Sequence, residues 1–172
     1  MGIDSLLIYV FIILISSISG CSIFGPGRVD SKAKHYDFQA PKGDWKFQKT
    51  TRGDADALYL HQKTGAILSI HSLCYRYEDA NLNSLMNSLL SPISKPELIH
   101  EEERTIINRG ALYRKVSGKM DGVPVEIAAV VLRKNHCLFD VFLQKSGSLN
   151  EEEEAGMEYL LSTLEYPSRK NL

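Results

Sequence analysis

The chain has 172 residues, with 20 Lys and Arg against 21 Asp and Glu, a formal net charge of −1 and 44% hydrophobic residues. Such a balance excludes both a basic stripe that tracks phosphates and an acidic, solvated coil, so nucleic acid is not an expected partner. The length suits one ordinary domain beside a short leader, and three cysteines need an explanation.

The first element is the apolar run Leu6 to Ile15, ten residues long. That is the size of a signal h-region and well short of the roughly 18 to 20 residues needed to span a bilayer. It leads into Ile18-Ser19-Gly20-Cys21, which resembles the lipobox of bacterial lipoproteins, where small residues admit a peptidase ahead of a lipid-modified thiol. The leader departs from that pattern at its start, where Met1 to Ser5 lacks Lys and Arg and contains Asp4. The resemblance implies that residues 1–20 are a signal peptide and that Cys21 is the mature N-terminus. There it would carry a diacylglyceryl thioether and palmitate-class acyl chains that hold the protein to a membrane. The other reading is an uncleaved signal anchor in which Cys21 is an ordinary thiol. Ser22, where an Asp would signal retention, implies onward export to the outer membrane, facing the periplasm, in an envelope with two membranes.

Residues 21–35 form the expected flexible tether, with Gly25-Pro26-Gly27 followed by Arg28, Asp30, Lys32 and Lys34. A single folded domain is expected over 36–168. It begins with a short strand at Tyr36-Asp37-Phe38, a turn at Pro41 to Asp44, and a strand Trp45-Lys46-Phe47 whose two aromatics share a core face. Ala57 to His61 and Ala66 to Cys74 alternate with period two around Lys63-Thr64-Gly65, the pattern of a β-hairpin that places His61 opposite Ala66. Asp79 or Asn81 caps a helix whose Leu82, Leu85, Met86, Leu89 and Leu90 make one apolar stripe, ended by Pro92 and Pro96.

Glu101 to Arg109 is expected to be a strand with one solvated face. Alternation turns Glu102 away from Glu101 and Glu103, which favours a solvated edge over a metal site. Strands at Ala111 to Lys119, Val123 to Lys134 and Cys137 to Lys145 follow, with turns at Met120-Asp121-Gly122 and Lys134-Asn135-His136. In the last strand both alternate faces are apolar, so both are expected to be covered. Asn150 and Glu151 to Glu154 open a final helix, where exposed amides favour carboxylates, and Met157, Leu160, Leu161 and Leu164 form its buried stripe. With Cys21 lipidated, Cys74 and Cys137 are left as an even pair. In an oxidising compartment they suit a disulfide, and as small buried hydrophobes they suit a core.

The order of elements describes an α+β fold, a central antiparallel sheet of about six to seven strands flanked by two main helices. Tyr36 to Trp45, with its aromatic strand, Pro, Gly and Trp, resembles the opening of PsbP-like domains. Asn108-Arg109-Gly110-Ala111 with Gly118 and Asp121-Gly122 is similar to their central hairpin region, and Cys137 to Leu143 to their last strand. The resemblance covers roughly residues 36–166 and implies an α/β/α sandwich used as an accessory or binding module, as in the extrinsic subunit of the oxygen-evolving complex. It carries over no functional residue and does not imply photosynthesis.

No catalytic constellation is legible: there is no GxSxG elbow, no HExxH and no phosphate-cradling glycine loop, and His35, His61, His71, His100 and His136 lack ligand spacing. No metal and no cofactor is therefore expected. The reading is a non-enzymatic envelope lipoprotein, tied to the membrane through lipid on Cys21 and serving an envelope protein complex. The alternatives are a carrier of a small apolar ligand, held between helix 82–90 and the sheet, and a hydrolase with dispersed catalytic residues.

Overall fold

A computed structural model describes residues 36–49, 55–74, 81–134 and 137–165. The expected signal peptide, Cys21, the tether, His35, the Asn135-His136 part of a turn and the expected domain end at 166–168 lie outside the described residues.

Apolar alternation and turn chemistry build seven strands among the described residues: β1 Trp45–Phe47, β2 Ala57–His61, β3 Ile67–Cys74, β4 Ser94–Ile106, β5 Arg109–Met120, β6 Val123–Lys134 and β7 Cys137–Ser146. They form one antiparallel sheet in the order β1-β2-β3-β7-β6-β5-β4. Two helices join it, α1 Leu82–Leu89 and α2 Glu151–Ser162. The β5–β6 hairpin turns on Asp121 and Gly122, both at positive φ (51° and 84°), as a two-residue turn matched to strand twist requires.

The sheet is covered on both faces. Strand β6 runs Ile127 to Leu132 with every side chain wholly buried, the continuous apolar pattern of a strand with no solvent face. Ala128, Val130 and Leu132 join the core under α2 with Phe139, Val141, Met157 and Leu160. Ile127, Ala129 and Val131 join the core under α1 with Met86, Leu90 and Leu112. Each helix thus covers one face.

Tyr36 to Phe38 is not a strand: Asp37 makes one isolated bridge to Glu165, while the Tyr36 ring is buried edge-on against Phe139 at 4.9 Å. Trp45 is buried, but Phe47 is 60% exposed and touches Tyr59 instead of joining the core; on a three-residue edge strand the helical cover stops short of the second aromatic. Strand β4 starts at Ser94, so Pro96 lies inside it instead of ending α1, a place open to proline because an edge strand needs no outward N–H. The same strand stops at Ile106. Ile107 and Asn108, at φ 51° and 58°, make the turn that returns the chain as β5, and Arg109 belongs to the next strand. A β-branched residue in the left-handed region is uncommon, which is why the pattern does not announce this turn.

Candidate functional site

The acidic first turn of α2 is docked residue by residue onto the basic features of the sheet. Asn150 caps the helix, its side chain accepting from the Glu153 amide while the Glu153 carboxylate accepts from the Asn150 amide. Glu153 is wholly buried and pairs with Lys145 Nζ at 2.8 Å. Burial opposes its charged form, yet Lys145, the Thr64 hydroxyl and the Asn150 amide together hold its carboxyl below the usual range. Glu154 reaches Lys115 Nζ at 2.6 Å, and Lys115 also meets Glu126 at 2.8 Å. Burial works against that ammonium, but the two carboxylates push it up to about 12. Farther along the helix, Glu158 meets Arg104 at 2.5 Å, whose guanidinium lies 3.9 Å over the Tyr113 ring.

Glu152 is the member of the run that faces an imidazole. His61 ends β2, pairs in register with Trp45 of β1, and is wholly buried. Its ring stands edge-on to Trp45 at 4.9 Å. Its Nδ1 lies 3.0 Å from Thr64 Oγ1, in the turn that follows. Its Nε2 is 3.4 Å from Glu152 Oε1, off the line of a hydrogen bond, and is left without a hydrogen-bond partner. Asp44 completes the group. It precedes β1, its carbonyl accepts from the Gln62 amide, and its carboxylate takes a 2.6 Å ion pair from Lys63. That hydrogen bond holds the Asp44 carboxyl below the usual carboxylate range and raises the Lys63 ammonium. One potential ligand atom from each of Asp44, His61 and Glu152 lies within 4.8 Å of the others.

Sequence reasoning missed this cluster. The pairing of β1 with β2 is the one local signal for it, because that register sets Asp44 beside the end of β2; the approach of Glu152 is tertiary.

Of the residues singled out from sequence, Cys74 and Cys137 are directly paired in the β3–β7 register with Cα atoms 4.0 Å apart, and their sulfurs are bonded. His71 lies opposite Asp140, and His100 lies 3.7 Å from Glu102. Glu101 and Glu102 diverge as alternation requires, the first to Arg114 and the second to Arg104. Between α1 and the sheet, Met86, Ile127, Ala129 and Val131 fill the space with no accessible surface. An open groove of about 320 Å³ lies elsewhere, beside Lys95, Gly118, Lys119, Glu126 and Gly147.

No family model matches the sequence, and no curated protein matches it. Solved structures do match in shape. A protein from Bacteroides thetaiotaomicron superposes with a TM-score of 0.54 at 12% identity, over 78% of this chain and 46% of that one, so the present chain spans less than half of its length. The cyanobacterial PsbP protein, CyanoP, of Synechocystis gives 0.54 at 13% identity, over 88% of this chain and 99% of that one. LpqN of Mycobacterium tuberculosis, a protein involved in cell envelope biogenesis, gives 0.52 at 11% identity, over 76% and 82%. At these identities the likeness shows the fold: a seven-stranded antiparallel sheet with two helices, of the PsbP-like kind.

Proposed function

We propose that this chain is a lipid-anchored protein of the cell envelope whose PsbP-like sandwich acts as a non-enzymatic accessory module for an envelope protein complex. The observation that carries the reading is the Cys21 context: a ten-residue apolar run, small residues and a cysteine, ahead of a folded body that is described from Tyr36 onward. No helix among the described residues is long and apolar enough to cross a membrane, so in this reading attachment falls to the acyl chains, each buried methylene adding about 0.8 kcal/mol. The envelope role of LpqN, which has the same kind of fold, supports the assignment of compartment. The filled interface under α1 gives no support to an apolar-ligand carrier in that position.

Metabolic labelling with a palmitate analogue, followed by membrane fractionation, tests the anchor. The wild-type chain is expected in the membrane fraction with label, and Cys21→Ser is expected to lose the label and leave that fraction. Retention of an unlabelled Cys21→Ser chain in the membrane would refute the anchor. In-cell crosslinking of the wild-type chain is expected to recover an envelope protein, and recovery of nothing above background would refute the accessory role.

A further inference from the structure

We infer that Asp44, His61 and Glu152 bind a divalent transition-metal ion of the zinc type between the end of β2 and the start of α2. His61 Nδ1 lies 3.0 Å from Thr64 Oγ1, a hydroxyl oxygen able to accept its proton. With the neutral ring protonated there, Nε2 is a bare lone pair in a wholly buried side chain, without a hydrogen-bond partner and facing a carboxylate oxygen. Two acceptors in contact repel unless a cation lies between them.

The spacing fits an ion larger than a proton. Two ligands on a tetrahedral zinc ion, at bonds of about 2.0–2.2 Å, stand roughly 3.4 Å apart. His61 Nε2 and Glu152 Oε1 are 3.4 Å apart and misaligned for a hydrogen bond. The Thr64 hydroxyl beside Nδ1 is the outer-shell partner that fixes the tautomer and orientation of a metal-binding imidazole. One imidazole with two carboxylates selects a zinc-type ion over magnesium or calcium, which take oxygen donors. Three protein donors leave a fourth position for water. The positive end of α2 opposes a cation, but the first turn carries four carboxylates, of which Lys145 and Lys115 neutralise Glu153 and Glu154 and leave Glu152 for the ion. Lys63 is the competitor, since its ammonium already holds Asp44.

The test uses the full chain purified in detergent and stripped with a chelator. Cobalt(II) is titrated first, because its visible absorption reports low-symmetry coordination, and zinc(II) is then used to displace it. One equivalent of each is expected to bind, with magnesium and calcium unable to compete at a hundredfold excess. Glu152 is largely exposed, so Glu152→Gln leaves the fold intact; it is expected to weaken cobalt and zinc binding at least about tenfold. Asp44→Asn is expected to act in the same direction, and Lys63→Met in the opposite one, tightening binding severalfold by releasing Asp44. Absence of saturable binding by the wild-type chain overturns the proposal. So does binding that Glu152→Gln and Asp44→Asn leave unchanged, because the ion would then sit elsewhere.

Discussion

Trp45 and Gly156 show how one residue identity sets a contact between an edge strand and a helix. A Cβ added at Gly156 would lie 2.5 Å from Trp45 Nε1 and 2.9 Å from Cε2, so the indole rests directly on the α2 backbone. Gly156→Val combines overpacking, typically about 1–3 kcal/mol, with the weak helix propensity of a β-branched residue. We expect a loss of about 2–3 kcal/mol in urea unfolding, and an unchanged midpoint would contradict this packing. Asp140 makes a second prediction. It sits in register between His71 of β3 and Val131 of β6, and burial pushes its carboxyl up to about 6 from an ordinary 3.8. The folded chain then holds this proton more tightly than the unfolded chain does. Its contribution to stability therefore falls as pH rises from about 4 to about 6 and is fully lost above that window. Asp140→Asn is expected to be more stable than the parent at pH 7.5 by about 1–3 kcal/mol and to have no such advantage at pH 3.5. A difference that does not vary with pH, measured from paired denaturation curves, would show that the side chain is not desolvated.

Among the elements, α2 has the most clearly determined start. Asn150 and Glu153 cap each other's amides, and the same Glu153 is the buried anchor of the Lys145 pair. Surface ion pairs such as Lys63 with Asp44 contribute little in water, whereas breaking a buried pair leaves an uncompensated charge. Asn150→Ala is expected to cost about 1 kcal/mol, seen as a lower unfolding midpoint; Asn150→Asp, which keeps the capping oxygen, is expected to restore most of it. Helix α1 is capped by Asn81, whose side chain accepts from the Ser84 amide, and it is tied to β5 by Arg114, which donates to Asn83 and Asn87. The long edge strand β4 meets the hazard of an unpaired edge with charge and proline, carrying Pro96, Glu97 and Glu101 to Arg104.

At the scale of the whole molecule, a sheet buried on both faces is closed at one end by the Cys74 to Cys137 bond. The cross-link joins residues 63 apart in sequence, and by loop-closure entropy a link of that span stabilises by about 4 kcal/mol. Reduction with a thiol, or Cys74→Ala with Cys137→Ala, is expected to lower the unfolding free energy by about 3–4 kcal/mol without changing the secondary structure, as circular dichroism would report. A loss below about 1 kcal/mol would show that the reduced, unfolded chain retains structure that offsets the link. Much of this architecture was legible from residue patterns. Period-two alternation located β2 and β3, apolar runs bounded by turn residues located β6 and β7, the 3.6-residue stripes of Leu82 to Leu90 and Met157 to Leu161 located the helices, and Asn150, with Asn81 offered beside Asp79, marked their starts. These signals are local, because a strand or helix must match its own side-chain period to the face it buries. The order of strands, the bond between Cys74 and Cys137 and the exposure of Phe47 depend on which segments meet. The same holds for the gathering of Asp44, His61 and Glu152. Glu152 stands 91 positions from His61 in the numbering, and no local periodicity encodes a contact that forms only when a helix docks onto a finished sheet.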